Sequence, residues 1–260
     1  MRGTRTMTAA GAAAAAVLAA GCGGSGGSGG PAAAGSPAAA TAAASDNGVA
    51  ALPAAEILQR AVQALRDARS VRETGTVGGN GMTITVDLRL DGAGSCAGTL
   101  RQAGVGGFQV VKAGQELWVK PDHAFWENNG DPALAELVGD RYLKTTSDNP
   151  QFAEVVDLCD LGALANRLGS GGSDLAKGAA TTVQGHRTIP VTGHSDTGSG
   201  TLYVAADGPA VPLRMERDTG GRVDLGDFGT PVPSATPGPD QSVDLDQLQP
   251  GASPSAPASV

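Results

Sequence analysis

Between residues 54 and 70 the apolar positions recur every three or four residues. Ile57, Leu58, Ala61, Val62, Leu65 and Ala68 fall on one side, with arginine, glutamine and aspartate opposite. That spacing predicts an amphipathic helix. From 81 to 92 the period changes to two: Met82, Ile84, Val86, Leu88 and Leu90 alternate with Thr83, Thr85, Asp87 and Arg89. One dry face and one wet face predict an antiparallel strand covered on a single side. Short runs of the same kind follow, punctuated by glycine, at 96–103, 107–114, 115–121 and 141–145, with a helix-like PALAELV at 132–138. A second, longer helix is predicted within 149–168, where Phe152, Val155, Val156, Cys159, Leu161 and Leu164 form a broad apolar stripe and Pro150 stands in its first turn. Five further strand-like runs lie between 181 and 229, joined by Asp-Gly and Thr-Gly-Gly turns.

This order predicts an α+β fold: a curved antiparallel half-barrel sheet of about ten strands with helices on its concave face. A sheet of that size curls, and curling lets a few helices cover its one apolar side. The body that carries the pattern spans 51–230. On either side the pattern stops. Residues 22–50 are almost entirely glycine, alanine, serine and proline, and read as a flexible tether with a root-mean-square reach of ~30 Å. Residues 231–260 are a Pro-rich tail, expected to be largely disordered apart from a short element at 242–248.

The N-terminus adds a location. Arg2 and Arg5 precede an uncharged, alanine-rich stretch from Thr6 to Ala20, too short for a permanent membrane span and suited to a signal peptide over 1–21. Its end, Leu18-Ala19-Ala20-Gly21-Cys22, resembles the lipobox of bacterial lipoproteins. The resemblance implies cleavage before Cys22 and acylation there, which would fix the chain to the outer leaf of a cell membrane on the extracytoplasmic side. The alternative is an ordinary secretory peptide with an incidental cysteine. Loss of 1–21 would take the formal charge from −8 to −10 by removing two arginines. An acidic chain without a basic stripe speaks against nucleic acid as a partner.

Chemistry-bearing patterns are sparse. His194, Ser195 and Asp196 are consecutive, so on an extended chain they point to alternate faces and form no relay. His186 and His194 lack a carboxylate partner in the pattern, and the glycine pairs match no phosphate-binding fingerprint. No catalytic residue, metal site or cofactor is therefore expected, and the chain does not read as an enzyme. Cys96 and Cys159 form an even pair in an oxidising compartment. They are either a disulfide closing a loop of about 64 residues, worth roughly 4 kcal/mol, or two separately buried thiols. Trp118, Phe125 and Trp126 concentrate the aromatic content within residues 117–129, either as the rim of a site for an amphipathic ligand or as core filling.

Several segments in order give the chain a wider likeness: the lipobox, the helix at 54–69, LWVKPDHAFW at 117–126, GDRYLKT at 139–145, the glycine-led strands from 183, PLRMERD at 212–218, DLGDFGTPV at 224–232 and SVDLDQL at 242–248. Together they resemble the actinobacterial LppX/LprG-type lipoproteins, related in fold to the LolA and LolB carriers. In that likeness LWVKPDHAFW takes the place of a strand pair. The resemblance implies a half-barrel enclosing a cavity for acyl chains of a lipid or glycolipid ligand, with Ile57, Leu58, Val62, Leu65, Trp118, Phe125 and Trp126 as the candidate lining. The rival expectation is an anchored envelope interaction protein whose core is solid.

Overall fold

The computed structural model describes residues 45–79, 82–130, 132–170, 172–195 and 198–248, all within the unit Ala43–Val260. The signal peptide, Cys22, most of the tether, Asp196 and residues 249–260 lie outside the described residues.

The 3.6-residue period at 54–70 is a helix, α1 (Ala54–Asp67), with Ala54, Ile57, Ala61, Val62 and Leu65 buried along one stripe. It leads into two long strands, β1 (Ser70–Gly79) and β2 (Met82–Asp91), paired antiparallel over their whole length. A meander follows: β3 (Cys96–Gln102), β4 (Gly106–Ala113) and β5 (Glu116–Pro121). Two short helices, α2 (His123–Asn129) and α3 (Pro132–Val138), then return the chain to β6 (Tyr142–Thr146). Where one long helix was expected over 149–168 there are two, α4 (Ala153–Leu158) and α5 (Leu161–Gly169). The break falls at Cys159–Asp160, and Asp160 starts α5 by accepting a hydrogen bond from Ala163 N at 2.9 Å. The last stretch adds β7 (Ser173–Lys177), β8 (Thr181–Val183), β9 (His186–Ser195), β10 (Gly198–Ala205), β11 (Pro212–Arg217), β12 (Arg222–Gly226), β13 (Ser242–Asp244) and a closing turn of helix, α6 (Leu245–Leu248).

These strands form one open, mixed, curved sheet in the order β13-β6-β5-β4-β3-β2-β1-β12-β11-β10-β9-β7, with β8 also on β9. It is the expected half-barrel, with thirteen strands among the described residues against about ten expected. One addition is β7, which pairs with β9, and two further differences account for the rest of the surplus. β1 lies at the centre of the sheet between β2 and β12, although its glycines read as turns. Gly75 explains the choice: its φ is +143°, and a Cβ there would sit 2.0 Å from the Arg222 carbonyl oxygen of β12, so the two strands approach only over a glycine. The second difference is the tail. β13 pairs parallel with β6 and α6 follows it, so the short element expected at 242–248 is part of the sheet, beyond the body boundary expected at 230. The body's N-terminal limit also lies earlier than residue 51, because Asp46 bridges Asp207 and Asn47 N donates to the Ala206 carbonyl at 3.0 Å. In both cases backbone pairing, to which composition is blind, holds the segment.

The concave side is dry. One cluster joins Val62 and Leu65 of α1, Leu161, Leu164 and Ala165 of α5, and Val71, Val86, Leu88, Leu90, Val110, Leu117, Val119, Val223 and Leu225 of the sheet. A second packs Ile57 and Ala61 against Ile189, Val191, Leu202 and Val204. α1 and α5 run antiparallel over these strands, with Arg66 donating to Asn166 Oδ1 at 2.9 Å and Gly169 set against Val62. Cys96 of β3 and Cys159 are joined as a disulfide with Cα atoms 5.4 Å apart, which fixes the α4–α5 junction to the sheet. Among the described residues no helix is long and apolar enough to cross a membrane.

Candidate functional site

The outer face of the sheet is charged. Arg72 bonds Asp87 at 2.8 Å through two nitrogens, Arg89 meets Asp227 at 2.7 Å, and Arg214 meets Asp224 at 2.6 Å. Arg72, donating to Asp87, holds that carboxyl below its ordinary value. At Asp224 burial pushes upward, but Arg214 and Arg222 outweigh it, and the net direction is down. These pairs make a solvated surface on which neighbouring charges neutralise one another.

The concave face carries the features that differ from ordinary core. Around the larger cluster, Leu58, Ile84, Phe108, Leu168 and Met215 are packed against buried neighbours yet remain partly exposed. They set partly accessible apolar side chains of α1, α5, β2, β4 and β11 along the border of the cluster, hereafter the strip. At the end of β4 the strip is bounded by aromatic rings. Phe108 stacks on Phe125 with centroids 4.7 Å apart, and Trp126 meets Phe125 edge-on at 5.6 Å. This corner exists because α2 lies directly on β4. Asp122 caps α2 by accepting from Phe125 N at 2.9 Å, and Gly106, at φ +132°, leaves the space in which a Cβ would come within 2.3 Å of Phe125 N. DHAFWENN is thus a capped helix where the likeness placed the second strand of a pair.

The expected lining residues are not gathered in one place. Val62 and Leu65 face β1–β5, Ile57 faces β9 and β10, and Leu58 touches both groups. Phe125 and Trp126 stand at the aromatic corner. Trp118 is on the other side of the sheet. Its strand neighbours Leu117 and Val119 point into the core, so alternation turns Trp118 outward, where its ring lies 5.4 Å from Nζ of its register partner Lys144. It is still only 3% exposed. The Pro-rich segment also runs on this face: Ser70, of outward parity on β1, donates its hydroxyl to the Thr230 carbonyl, and Val232 beyond it is buried. From there the chain leads to β13, which pairs with β6.

One residue of the concave face has no counterpart in the sequence expectations. Glu73 shares parity with Val71 on β1, sits in register between Leu88 and Leu225, and is 2% exposed. Its Oε1 is buried without a hydrogen-bond partner. Burial pushes its carboxyl up to about 7, with Arg167 of α5 pulling weakly the other way. The signal for it was present: in SVRET, position 73 has the parity of Val71.

Of the clefts described, one borders this face through Leu161 of α5. That one, of about 450 Å³, is also lined by Arg66, Asp91, Asp160 and the 92–94 turn, the other, of about 370 Å³, by Thr146, Asp148, Asn149 and Asp246. Both are open, and their linings are mixed polar and apolar. Among the described residues no group of His, Cys, Asp and Glu is arranged to hold a metal ion. His194 and Ser195 end β9 at its hairpin with β10, and His186 begins the same strand.

No family model and no curated protein matches the chain. Among solved structures it is similar to LprF from Mycobacterium bovis, at 16% identity over 71% of this chain and 96% of that one, with a TM-score of 0.51. The lipoprotein LppX from Mycobacterium tuberculosis aligns at 15% identity over 70% of this chain and 98% of that one, with a TM-score of 0.47. At such identities the likeness is one of architecture. The chain has the half-barrel fold of the LppX/LprG-type lipoproteins.

Proposed function

We propose that the protein is a lipoprotein, cleaved after residue 21 and acylated at Cys22, that stands on the extracytoplasmic face of the cell membrane and binds lipid acyl chains along its concave face. Its role is non-enzymatic: apolar side chains take the place of water around the chain, at about 25 cal/mol per Å² of surface removed from solvent. The observation that carries this reading is the accessible apolar strip of Leu58, Ile84, Phe108, Leu168 and Met215, next to the aromatic corner and continuous with the core. The tether to Cys22 keeps such a site within reach of its membrane.

The test is to purify the full chain with Cys22→Ala, analyse co-extracted lipids by mass spectrometry, and offer it labelled glycolipid and phospholipid. Bound lipid in roughly stoichiometric amount supports carriage. A lipid-free protein that takes up none overturns it. The same substitution is expected to release the protein from cell membranes, and retention in the membrane fraction would overturn the anchor. A second reading, an anchored envelope interaction protein with a filled core, is favoured by the close packing of both apolar clusters. It predicts the lipid-free outcome.

A further inference from the structure

Glu73 is the point on the concave face where the packing conflicts with itself. A glutamate 2% exposed, with Leu88 and Leu225 as its strand neighbours and an unpartnered Oε1, is tolerated as a neutral acid and strongly disfavoured as an anion. The cluster that encloses it brings Val62 and Leu65 from α1 and Leu161, Leu164 and Ala165 from α5, none of which can solvate a charge. Glu56, Arg60 and Asp67 of α1 are exposed, and Arg167 is the one charged group on these helices that acts on Glu73, weakly. Arg167 of α5 donates to the Asp157 carbonyl at 3.2 Å and Arg66 of α1 to Asn166. Asp157 and Glu154 of α4 are exposed, and Asp87 and Asp224 of the adjoining strands lie on the outer face with their arginines.

The helix over this site is held at both ends. The N-terminal end of α5 is tied to β3 through Cys159 and Cys96. Beyond its C-terminal end, Gly172, at φ +97°, lies against the His194 backbone of β9, where β7 begins its pairing. Between these ties α5 rests on side-chain contacts, with Gly169 against Val62 and Asn166 bonded by Arg66, and its displacement there would give Glu73 water.

We propose that Glu73 is a proton-operated latch on the concave face: as the neutral acid it keeps α5 seated, and as the carboxylate it drives α5 off the sheet and opens the apolar interior. As a control on lipid access this rests on the lipid-binding reading above; as an opening equilibrium it stands without it.

In the closed form the carboxyl titrates near 7, whereas a solvated glutamate titrates near 4.5. Closed-state stability is therefore complete below about pH 4.5 and is lost as pH rises to about 7. The open-to-closed ratio is expected to rise by about 300-fold over that interval and then level off. Hydrogen exchange of the full chain, read by mass spectrometry from pH 4.5 to 8 and corrected for intrinsic rates, measures this ratio in peptides covering 161–169. Glu73→Gln and Glu73→Leu should abolish the pH dependence, and Arg167→Ala should move its midpoint upward. Exchange in α5 that is independent of pH, or a slope unchanged in Glu73→Gln, overturns the latch. Should both Glu73 variants fail to fold, carbon-13 titration of Glu73 in the wild type decides, since a midpoint near 4.5 overturns the proposal. Uptake of N-phenylnaphthylamine, a neutral apolar probe, is measured in parallel. Uptake rising with the exchange supports the latch as a control on access. A pH-dependent exchange without uptake at any pH supports the latch and overturns the carrier reading.

Discussion

Glu73 and Asp87 lie on neighbouring strands one register step apart, yet on opposite faces of one sheet. Asp87 points out, meets Arg72 at 2.8 Å and is held below its ordinary value; Glu73 points in, meets leucines and is raised to about 7. Their difference comes from parity alone. Charge is inexpensive on the wet face because water and arginines share it, and costly on the dry face because nothing does. The same asymmetry separates what can be altered harmlessly from what cannot.

The largest expected effect is on the dry side. Leu88→Ala, at a position with no exposure in the main cluster, should lower unfolding free energy by about 2–5 kcal/mol in urea titrations. Next is the pH dependence of global stability. Glu73 takes up a proton on folding between 4.5 and about 7, so stability should fall by about 3 kcal/mol as pH rises through that window and stay flat in Glu73→Gln. Asp87 acts with the opposite sign and lower on the scale: its lowered value stabilises above its ordinary 3.8 and is lost on acidification below it. Gly106→Ala should cost roughly 1–3 kcal/mol through backbone strain and change the near-ultraviolet circular dichroism of the Phe108–Phe125–Trp126 corner. Smallest is Arg72→Ala on the wet face, expected at about 0–1 kcal/mol. A loss above about 2 kcal/mol there would break the comparison.

The parts legible in the sequence are those whose period is carried by side chains. α1 and β2 announce themselves because every buried position is apolar and every exposed one polar. β1 was hidden because its inward positions are Val71, Glu73, Gly75 and Val77, of which two are apolar, and because Gly75 serves the approach of β12. α2 was read through a likeness to a strand pair, whereas the Asp122 cap and the space over Gly106 make it a helix. In the tail the short element at 242–248 was legible but its pairing was not, because β13 is held by backbone pairing with β6 and needs little from its side chains. The candidate site was legible only in half. The helix residues fall on the concave face as expected, but strand parity sends Trp118 outward, and Phe108, Ile84, Leu168 and Met215 emerge only from the packing.

The central pairing of β1 with β12 has a consequence for how the molecule is made. Arg72 is in register with Gly226, so two strands at the middle of the sheet come from opposite ends of the body. Every other neighbour of β1–β5 is local, and such hairpins form early. The seam, by contrast, must wait until residue 226 is available, and β13 waits longer still. A chain emerging from its N-terminus thus carries an open sheet edge at β1 for most of its synthesis. Completion of the sheet is postponed until nearly all of the polypeptide is present.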